Sequence, residues 1–541
     1  DLIPGTGGVT NAEKPVNLDG LRVRGDNTSR MSVTTASDLT LSEGGVGHML
    51  LVPYYSAQNN NMTVLHVVNT DSVNGKAVKV RFRGAANSDD VMDFQVFMSP
   101  GDVWTAAVTA GADRIAQVQT ADNTCTVPSL GFNTPQAFTT SRLNPNHTDE
   151  AKASGTREGY VEIFNMADIP SDKIYTVDGK TAQSPLYTAI KHVSGVAPCS
   201  VAGSAAQTTL TDIALENYTN EWDAANVGFN TPTGGLMGDW YIINVGQSTT
   251  FAGAATALTA VTTTGGTTAG RGNFVHFPQT STAAPSIESN SSDPLFRVNF
   301  TRDNANAAVT TAAIRAANYD LPDLSTPYTL NAGGTAAVDT RVQAYNLTKA
   351  LSVTSITNQY ANDASISAKT DWVFSMPTRR YSVAANYNAT ATTANNYRLY
   401  TVLDTGGAAA NNYAAWFAPE NTALQGGLIC VNSTGQGFFD REEQSRTSGA
   451  VFSPGTVSQT RFCGETSVLS FADTGVSVLG GSVARQNVSG VYTNGWAVLS
   501  TNNSGKGLPI LGSSFIKLSN PSATAGTSGT YGITWDHRFT R

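Results

Sequence analysis

Short runs of alternating apolar and polar residues constrain this fold more than any other feature of the sequence. Residues 77–83 read Ala-Val-Lys-Val-Arg-Phe-Arg, and residues 91–98 keep much of the same two-residue period. Successive side chains of a β-strand point to opposite faces of the sheet, so this period is typical of strands with one buried face. We therefore expect half-buried strands in both segments.

Similar runs recur along the chain and are separated by turns rich in Gly, Pro and Asn, as in antiparallel sheets. We expect further strands at 49–55, 64–70, 103–106, 159–165, 239–245, 341–346, 371–377, 380–383, 515–518 and 531–539. Short helices are expected within 205–225 and at 311–317, and a loop or extended element at 247–272. The pattern predicts a mainly β fold with two or more antiparallel β-sandwich (Ig-like) domains and few short helices.

The length of 541 residues exceeds that of one ordinary domain. Residues 1–45 are polar and weakly periodic, and we interpret them as an extended N-terminal arm. We assign residues 46–330 to a first β-sandwich region with irregular insertions, and residues 331–541 to a second β-sandwich region.

Charged residues make up only 14% of the chain, and the net charge is −8. No basic face is implied, which argues against nucleic acid as a partner. The sequence begins at Asp1, which we interpret as a mature N-terminus left after removal of a signal peptide. No stretch is long and apolar enough for a transmembrane helix, so we expect no transmembrane segment.

The four cysteines fall as one widely spaced pair in each half of the chain, and none forms a C-x-x-C motif. In an oxidising compartment the simplest connectivity is Cys125–Cys199 with Cys430–Cys463. Two other pairings remain open, as do four buried free thiols.

Several turns carry carboxylates together with amide side chains, which are oxygen ligands that Ca²⁺ prefers. None of these turns matches an EF-hand or a Gly/Asp nonapeptide repeat, so solvated turn acids are the competing interpretation. The calcium candidates are Asn87, Asp89, Asp90, Asp320, Asp323, Asp440 and Glu442.

The sequence contains no G-x-S-x-G motif, no Walker loop, no dinucleotide fingerprint and no H-E-x-x-H motif. We therefore expect no catalytic site and no cofactor other than calcium. An exported hydrolase ranks third among the functions that we consider, after an assembly subunit and a binding protein.

Several segments together resemble a family of large secreted proteobacterial proteins that are described only as cell-surface or exported proteins. The resemblance covers most of the chain and is carried by residues 51–55, 75–83, 99–106, 320–328, 370–373, 376–378 and 535–538. It implies a β architecture and a location at the cell surface, and it supplies no catalytic residues.

These observations favour a structural subunit of an extracellular bacterial surface assembly, expected to be a surface-layer (S-layer) lattice of copies of this chain. One alternative is a filament in which the N-terminal arm adds a strand to a neighbouring subunit. The other is a carbohydrate-binding adhesin, and outer-membrane polysaccharide is a candidate partner for the surface protein. The aromatic residues that could form sugar platforms are Tyr54, Tyr55, Trp104 and Trp240. Strands routinely bury such side chains, so a place in the core is the competing interpretation.

Overall fold

The structure of the chain is a computed structural model, and it describes most of residues 31–541. The described ranges are 31–177, 180–216, 221–262, 268–274, 276, 300–303, 340–387, 397–401, 416–446, 451–453, 460–471, 477–489, 492–503, 506–520, 522–524 and 529–541. The expected helix at 311–317 and the calcium candidates Asp320 and Asp323 lie outside the described residues.

Short strands dominate these ranges. In the first part of the chain they are β1 (Asp38–Leu41), β2 (Met49–Ser56), β3 (Met62–Asn69), β4 (Gly75–Gly84), β5 (Asp90–Met98), β6 (Val103–Ala110), β7 (Ala116–Gln119), β8 (Cys125–Val127), β9 (Gln136–Ala137), β10 (Glu158–Ile169), β11 (Tyr175–Val177), β12 (Lys180–Ala182), β13 (Leu236–Asn244), β14 (Thr249–Ala254), β15 (Thr256–Thr262), β16 (Thr268–Ala269) and β17 (Phe300–Asp303). In the second part they are β18 (Ser352–Val353), β19 (Ser355–Ala361), β20 (Lys369–Ser375), β21 (Val383–Ala385), β22 (Arg398–Thr401), β23 (Thr422–Gln425), β24 (Leu428–Asn432), β25 (Gly435–Phe439), β26 (Ser445–Arg446), β27 (Val451–Ser453), β28 (Arg461–Cys463), β29 (Thr466–Phe471), β30 (Arg485–Ser489), β31 (Asn494–Ser500), β32 (Leu508–Pro509), β33 (Ser513–Ser519), β34 (Thr530–Asp536) and β35 (Arg538–Thr540).

Helices are few and short, as expected. They are α1 (Asp149–Thr156), α2 (Pro185–Ile190), α3 (Ala205–Leu215), α4 (Glu221–Val227), α5 (Thr340–Leu351) and α6 (Arg379–Ser382). Single 3-10 turns lie at Gln58–Asn60, Pro198–Ser200, Val245–Gln247 and Ala364–Ile366. The prediction of a mainly β fold with antiparallel sheets and few short helices is confirmed. None of the helices within the described residues combines the length and the apolar sequence that crossing a membrane requires.

Two antiparallel sheets form a sandwich in the first half. The central sheet has the strand order β1-β15-β2-β10-β4-β5-β8, with β16 beside β15, and the outer sheet has the order β14-β13-β3-β6-β7-β9. Trp104 and Trp240 of the outer sheet pack in one hydrophobic cluster with Val80, Phe82 and Phe94 of the central sheet. The sandwich thus buries the apolar side of each alternating strand.

The central sheet is also buried on its second face, and here the sequence-based expectation of half-buried strands is wrong. Every residue of β4 and of β10 is buried. Phe97 and Phe164 on this second face pack with Leu186 of α2, Ile213 of α3 and Leu347 of α5. Because helices cover this face, the polar residues of the alternating pattern lie inside the protein rather than in water.

A second sandwich occupies the second half. One of its sheets, which we call the groove sheet, has the order β26-β25-β31-β19-β35. The other, which we call the bridging sheet, has the order β27-β30-β29-β20-β33-β34. Pairing in both is antiparallel except between β29 and β30, which run parallel. Tyr360 of the groove sheet stacks on Phe471 of the bridging sheet, with ring centroids 4.6 Å apart. The smaller sheets are β11-β12, β17-β22-β21, β18-β32 and β23-β24-β28.

The bridging sheet also contacts the first sandwich, so the two regions share a core. Phe515 of β33 lies against Tyr54, Trp240 and Phe251, with ring centroids 6.4, 5.8 and 5.4 Å away. That the two regions are separate domains stays a prediction.

Two expected strands of the second half are helical instead. Residues 341–346 belong to α5, where Ala344, Leu347 and Leu351 are buried at helical spacing. Six residues were too short a window to reveal that period. Residues 379–382 form the short helix α6, and only the chain after Ser382 is extended, as β21.

Three further expectations concern a helical segment, an extended segment and the N-terminal arm. The helical segment expected within 205–225 is present as α3 and as α4, which runs on to Val227. The stretch 247–272 is extended in the described residues, as β14, β15 and β16. The described end of the expected arm also packs on the protein, because β1 pairs with β15 and Leu39 is buried.

Both predicted disulfides are present. Cys125 on β8 is joined to Cys199 beside the helical layer, and Cys430 on β24 is joined to its cross-strand neighbour Cys463 on β28. No free cysteine remains, which confirms the simplest connectivity. Two disulfides are typical of proteins outside the reducing cytosol.

Buried charges join the two halves behind the central sheet. Arg380 Nη2 donates to Glu162 Oε1 at 2.7 Å, and both side chains are fully buried. Arg83 Nε donates to Glu162 Oε2 at 3.3 Å. The second Arg380 nitrogen donates to the Pro377 carbonyl and to the Tyr160 hydroxyl. Burial alone would lower the pKa of Arg380, but the Glu162 carboxylate holds that pKa well above its ordinary value.

A second buried pair lies beside the first. Arg379 Nη2 and Glu465 Oε1 are 3.0 Å apart. The Glu465 amide donates to the Ala85 carbonyl, and its own carbonyl accepts from the Met376 amide. The turn before β29 is therefore tied to the end of β4 by its backbone and to α6 by its side chain. Burial raises the pKa of Glu465, and the Arg379 guanidinium opposes the rise.

We predict that Arg380→Met lowers the free energy of unfolding by about 3–5 kcal/mol, because it leaves the buried Glu162 carboxylate without its main counter-ion. Denaturant titration followed by circular dichroism measures the change. The control is Arg114→Met, which removes an exposed ion pair to Glu150 and should cost less than about 1 kcal/mol. Equal losses in the two variants would contradict a structural role for the buried pair.

Candidate functional site

An open groove on the solvent-facing side of the groove sheet is the most developed candidate site in the described residues. Its cavity volume is ≈ 870 Å³, within the range of ligand-binding clefts. We call it the aromatic groove. Side chains that line it and carry the argument below are Gln359, Phe439, Asp440, Asn494, Trp496 and Arg538.

Strand register places the floor of the aromatic groove. Trp496 of β31 pairs with Gln359 of β19 on one side and with Phe439 of β25 on the other, so the three side chains share a face. The rings of Phe439 and Trp496 stack with centroids 4.1 Å apart and an interplanar angle of 10°. Trp496 nevertheless keeps 42% of its surface exposed. Phe439 thus backs one face of the indole and leaves the other face accessible.

Gly495 allows the close strand approach at which this ring pair forms. A Cβ atom at position 495 would lie 1.8 Å from the Phe439 carbonyl oxygen. Any larger residue would push β25 away from β31, so glycine is required there for steric reasons. The aromatic pair and its neighbouring glycine therefore form one structural unit.

Polar groups surround the aromatic floor. The side-chain Nδ2 of Asn494 donates to Asp363 Oδ2 at 3.1 Å. The side-chain Oδ1 of Asn494 is buried and has no hydrogen-bond partner among the described groups. Asp440 Oδ1 accepts from the Glu442 and Gln444 amides, each at 2.8 Å, which fixes the turn at the rim. Carboxylates and guanidinium groups both line the aromatic groove, so it carries charges of both signs.

The backbone beneath the aromatic groove is already hydrogen-bonded. The Gln359 carbonyl accepts from Trp372 Nε1 and from Ser514 Oγ, each at 3.0 Å. The Thr370 hydroxyl bonds both the amide and the carbonyl of Ala361, at 2.9 and 2.8 Å. These groups on β19 are not available to an added strand, so a ligand must bind through the side chains.

His537 supports the groove from the core. Its Nδ1 atom lies 2.8 Å from Asn358 Nδ2, and its Nε2 atom lies 2.9 Å from the Val373 carbonyl oxygen. The ring is neutral if Asn358 donates to Nδ1 and Nε2–H donates to Val373. Burial lowers the pKa of His537 to about 3, which favours this neutral form.

The calcium candidates at residues 87–90 lie in the buried turn after β4 and at the first residue of β5. Both carboxylate oxygens of Asp89 accept from the Tyr387 hydroxyl, at 2.7 and 2.8 Å. Asn87 Nδ2 donates to the same hydroxyl at 3.2 Å, and Asp90 Oδ2 lies 3.9 Å from Arg83 Nη1. Burial raises the pKa of Asp89 to about 7. The turn thus has a structural partner in the second half of the chain.

The other described candidates, Asp440 and Glu442, lie in the exposed rim turn of the aromatic groove. Within the described ranges no group of three or more His, Cys, Asp or Glu side chains is arranged to hold a metal ion. A calcium role for either turn stays a prediction.

The aromatic residues that the sequence offered as sugar platforms belong to the core. Tyr54, Tyr55, Trp104 and Trp240 have no exposed surface. The Tyr54 hydroxyl donates to Glu158 Oε1 at 2.8 Å, and the Tyr55 hydroxyl donates to the Thr156 carbonyl at 3.0 Å. The polar ends of the two tyrosines are therefore used inside the protein, and burial keeps all four side chains from contacting a ligand.

Sequence reasoning missed the aromatic groove because its parts are distant along the chain. Gln359, Phe439 and Trp496 meet only through the pairing of β19, β31 and β25. The one local signal is a glycine close before each aromatic residue, at Gly437 and Gly495. A glycine within a strand marks a close backbone approach.

No protein-family model, curated protein or solved structure matches the chain.

We predict that His537→Gln changes the pH dependence of stability. The unfolded chain binds a proton near pH 6.5, whereas folded His537 does so near pH 3. The parent protein should therefore lose stability through this residue as the pH falls from about 6.5 to about 3, at up to roughly 1.4 kcal/mol per pH unit.

Stability measured by denaturant titration at several pH values should fall less steeply in the His537→Gln variant. The two proteins are compared at each pH because Asp89, whose raised pKa acts in the opposite direction, is common to both. Parallel curves for the two proteins over this pH range would show that His537 is not buried in the neutral form.

Proposed function

We propose that the chain is a non-catalytic structural subunit of an extracellular bacterial surface assembly, in the form of a surface-layer lattice. The observation that carries the proposal is the solvent-facing side of the outer sheet, which is mainly apolar and almost without charge. We call this surface the outer face. Its side chains are Met62, Val64, His66, Val68, Val103, Thr105, Ala107, Thr109, Gln117, Gln119, Ala137, Met237, Asp239, Tyr241, Ile243, Thr250, Ala252 and Ala254.

Cross-strand register groups the apolar residues of the outer face. Val64 of β3 pairs with Tyr241 of β13, and Val68 pairs with Met237 on one side and Val103 on the other. These side chains are half-buried or exposed. Contiguous apolar surface of this kind marks interaction sites in soluble proteins.

The charges of the outer face favour another copy of the same chain as the partner. Apart from the Tyr241 phenol, only His66 and Asp239 are ionisable among the side chains of this face, and these two are direct cross-strand neighbours. Two such faces can approach without much like-charge repulsion. When sheets pack face to face they lie about 10 Å apart, and the side chains between them are buried. A contact of one face with its own copy is the simplest symmetric interface.

The internal use of carboxylates supports a non-catalytic role. Glu158 Oε2 accepts from the Ser482 and Val483 amides at 2.9 and 3.0 Å, and Asp371 Oδ2 accepts from the Leu479 amide at 3.0 Å. These buried acids hold a loop of the second half against the strands. Such contacts are structural, and they require no substrate.

The cellular location in this proposal rests on the disulfides and on the resemblance of the sequence to secreted proteins. The two disulfides support an oxidising compartment. The bacterial cell surface follows from the resemblance to secreted proteobacterial proteins, which stays a hypothesis. The alternative of a filament built by N-terminal strand addition also stays a prediction, because residues 1–30 lie outside the described residues.

We predict that Val64→Lys with Tyr241→Lys prevents assembly, because like charges would then face each other across the interface. Electron microscopy and analytical ultracentrifugation, with calcium and with a chelator, measure the assembled fraction. The control is Val193→Lys at a position that is already 65% exposed and lies outside the outer sheet. Assembly of the double variant at the parent level would refute this interface, and a parent protein that stays monomeric in both buffers would refute the lattice.

A further inference from the structure

We propose that the aromatic groove is a binding site for a neutral glycan chain, with the accessible face of Trp496 as its sugar platform. The proposal concerns a surface on a different sheet from the outer face, and it goes beyond the assembly role. Its basis is the combination of a fixed, half-exposed aromatic ring with side-chain hydrogen-bonding groups around it.

The platform is rigid before any ligand binds. Phe439 stacks on Trp496 at 4.1 Å, and Gly495 holds the two strands close. Little conformational entropy is therefore lost when a ligand covers the indole. A pyranose ring offers a flat apolar face of C–H groups that matches such a surface, while its hydroxyl groups point outward to polar neighbours.

Groups that can bond hydroxyls lie around the platform. The exposed Gln359 side chain on the floor offers an amide that donates and accepts, and the Asn494 side chain lines the groove beside Trp496. The Asp440 carboxylate faces the groove from the rim. Hydroxyls donate and accept, so they can satisfy amide and carboxylate groups together.

The hydrogen bonds that the β19 backbone already makes favour a glycan over a peptide as the ligand. An extended peptide would bind this sheet by adding a strand and would need free main-chain groups on β19. Gln359 and Ala361 already use those groups internally. The mixed charge of Asp440, Arg441, Glu443 and Arg538 gives no field of one sign, which favours a neutral ligand over a polyanion.

Exposed aromatic residues extend beyond the groove. Ile516, which lines it, pairs with Ile533 in β34, and the neighbouring pairs along the same two strands place Trp535 and Tyr531 on that face. Trp535 is 40% exposed and Tyr531 is 60% exposed. Trp535 and Tyr531 thus lie on the bridging sheet, whereas Trp496 lies on the groove sheet. Exposed aromatic residues on two neighbouring sheets suit a chain of sugars rather than a single sugar.

The test uses the full chain on an array of neutral and acidic oligosaccharides, followed by calorimetric titration with the best-bound oligosaccharide. We expect retention of neutral oligosaccharides. Trp496→Ala should weaken binding by about tenfold or more, and Trp496→Phe should retain part of the affinity. The control Phe132→Ala removes an aromatic ring that is 56% exposed and belongs to neither the aromatic groove nor the outer face, and it should bind as the parent does.

Thermal unfolding of each variant checks that a loss of binding is not a loss of fold. The proposal is overturned if the parent retains no oligosaccharide, if it retains only acidic oligosaccharides, or if Trp496→Ala binds as tightly as the parent. Assembly is measured on the same samples. Loss of glycan binding with normal assembly, or the reverse, separates this proposal from the proposed function.

Discussion

The ion pair between Glu162 and Arg380 is the contact on which the arrangement of the two halves depends. Glu162 lies in the middle of the central sheet, which is buried on both faces. An unpaired carboxylate there would be strongly destabilising, so a cation must be supplied from another element. Arg83 approaches from the adjacent strand, but the closer partner is Arg380 from the second half of the chain. The first half therefore reaches its full stability only when the second half is docked against it.

Other buried acids repeat this arrangement on a smaller scale. Asp168 accepts from Lys76 Nζ at 2.9 Å and from the Thr233 hydroxyl at 2.6 Å, and so holds the chain that leads into β13. Glu158 and Asp371 hold the loop at 477–483 in the same way. These buried carboxylates thus join strands and loops inside the protein. The surfaces that remain for function are broad faces of sheets.

Two such faces have distinct properties. The outer face of the first sandwich is mainly apolar and nearly uncharged, as the proposed contact between copies requires. The aromatic groove of the second sandwich combines Trp496 with amide and carboxylate groups, as the proposed glycan site requires. Because the faces belong to different sheets, both proposed contacts can be made by one subunit without competition. A lattice subunit that also binds a surface glycan would need such a separation.

The sequence by itself determined the β class of the fold and most of its strands, because a two-residue period is a local property of the chain. It favoured the observed disulfide pairs but left other pairings open, and the structure decided between them. The sequence failed where the deciding contact is distant. Residues 341–346 look like a strand alone but form part of α5, whose buried face contacts the central sheet. The polar residues of β4 suggested a solvated face until helices covered it. Likewise, Tyr54 and Trp240 could not be distinguished from Trp496 by residue type, because exposure depends on which sheets pack together. Only the tertiary structure brings Gln359, Phe439 and Trp496 side by side, since strand pairing joins segments that carry no mutual signal in the sequence.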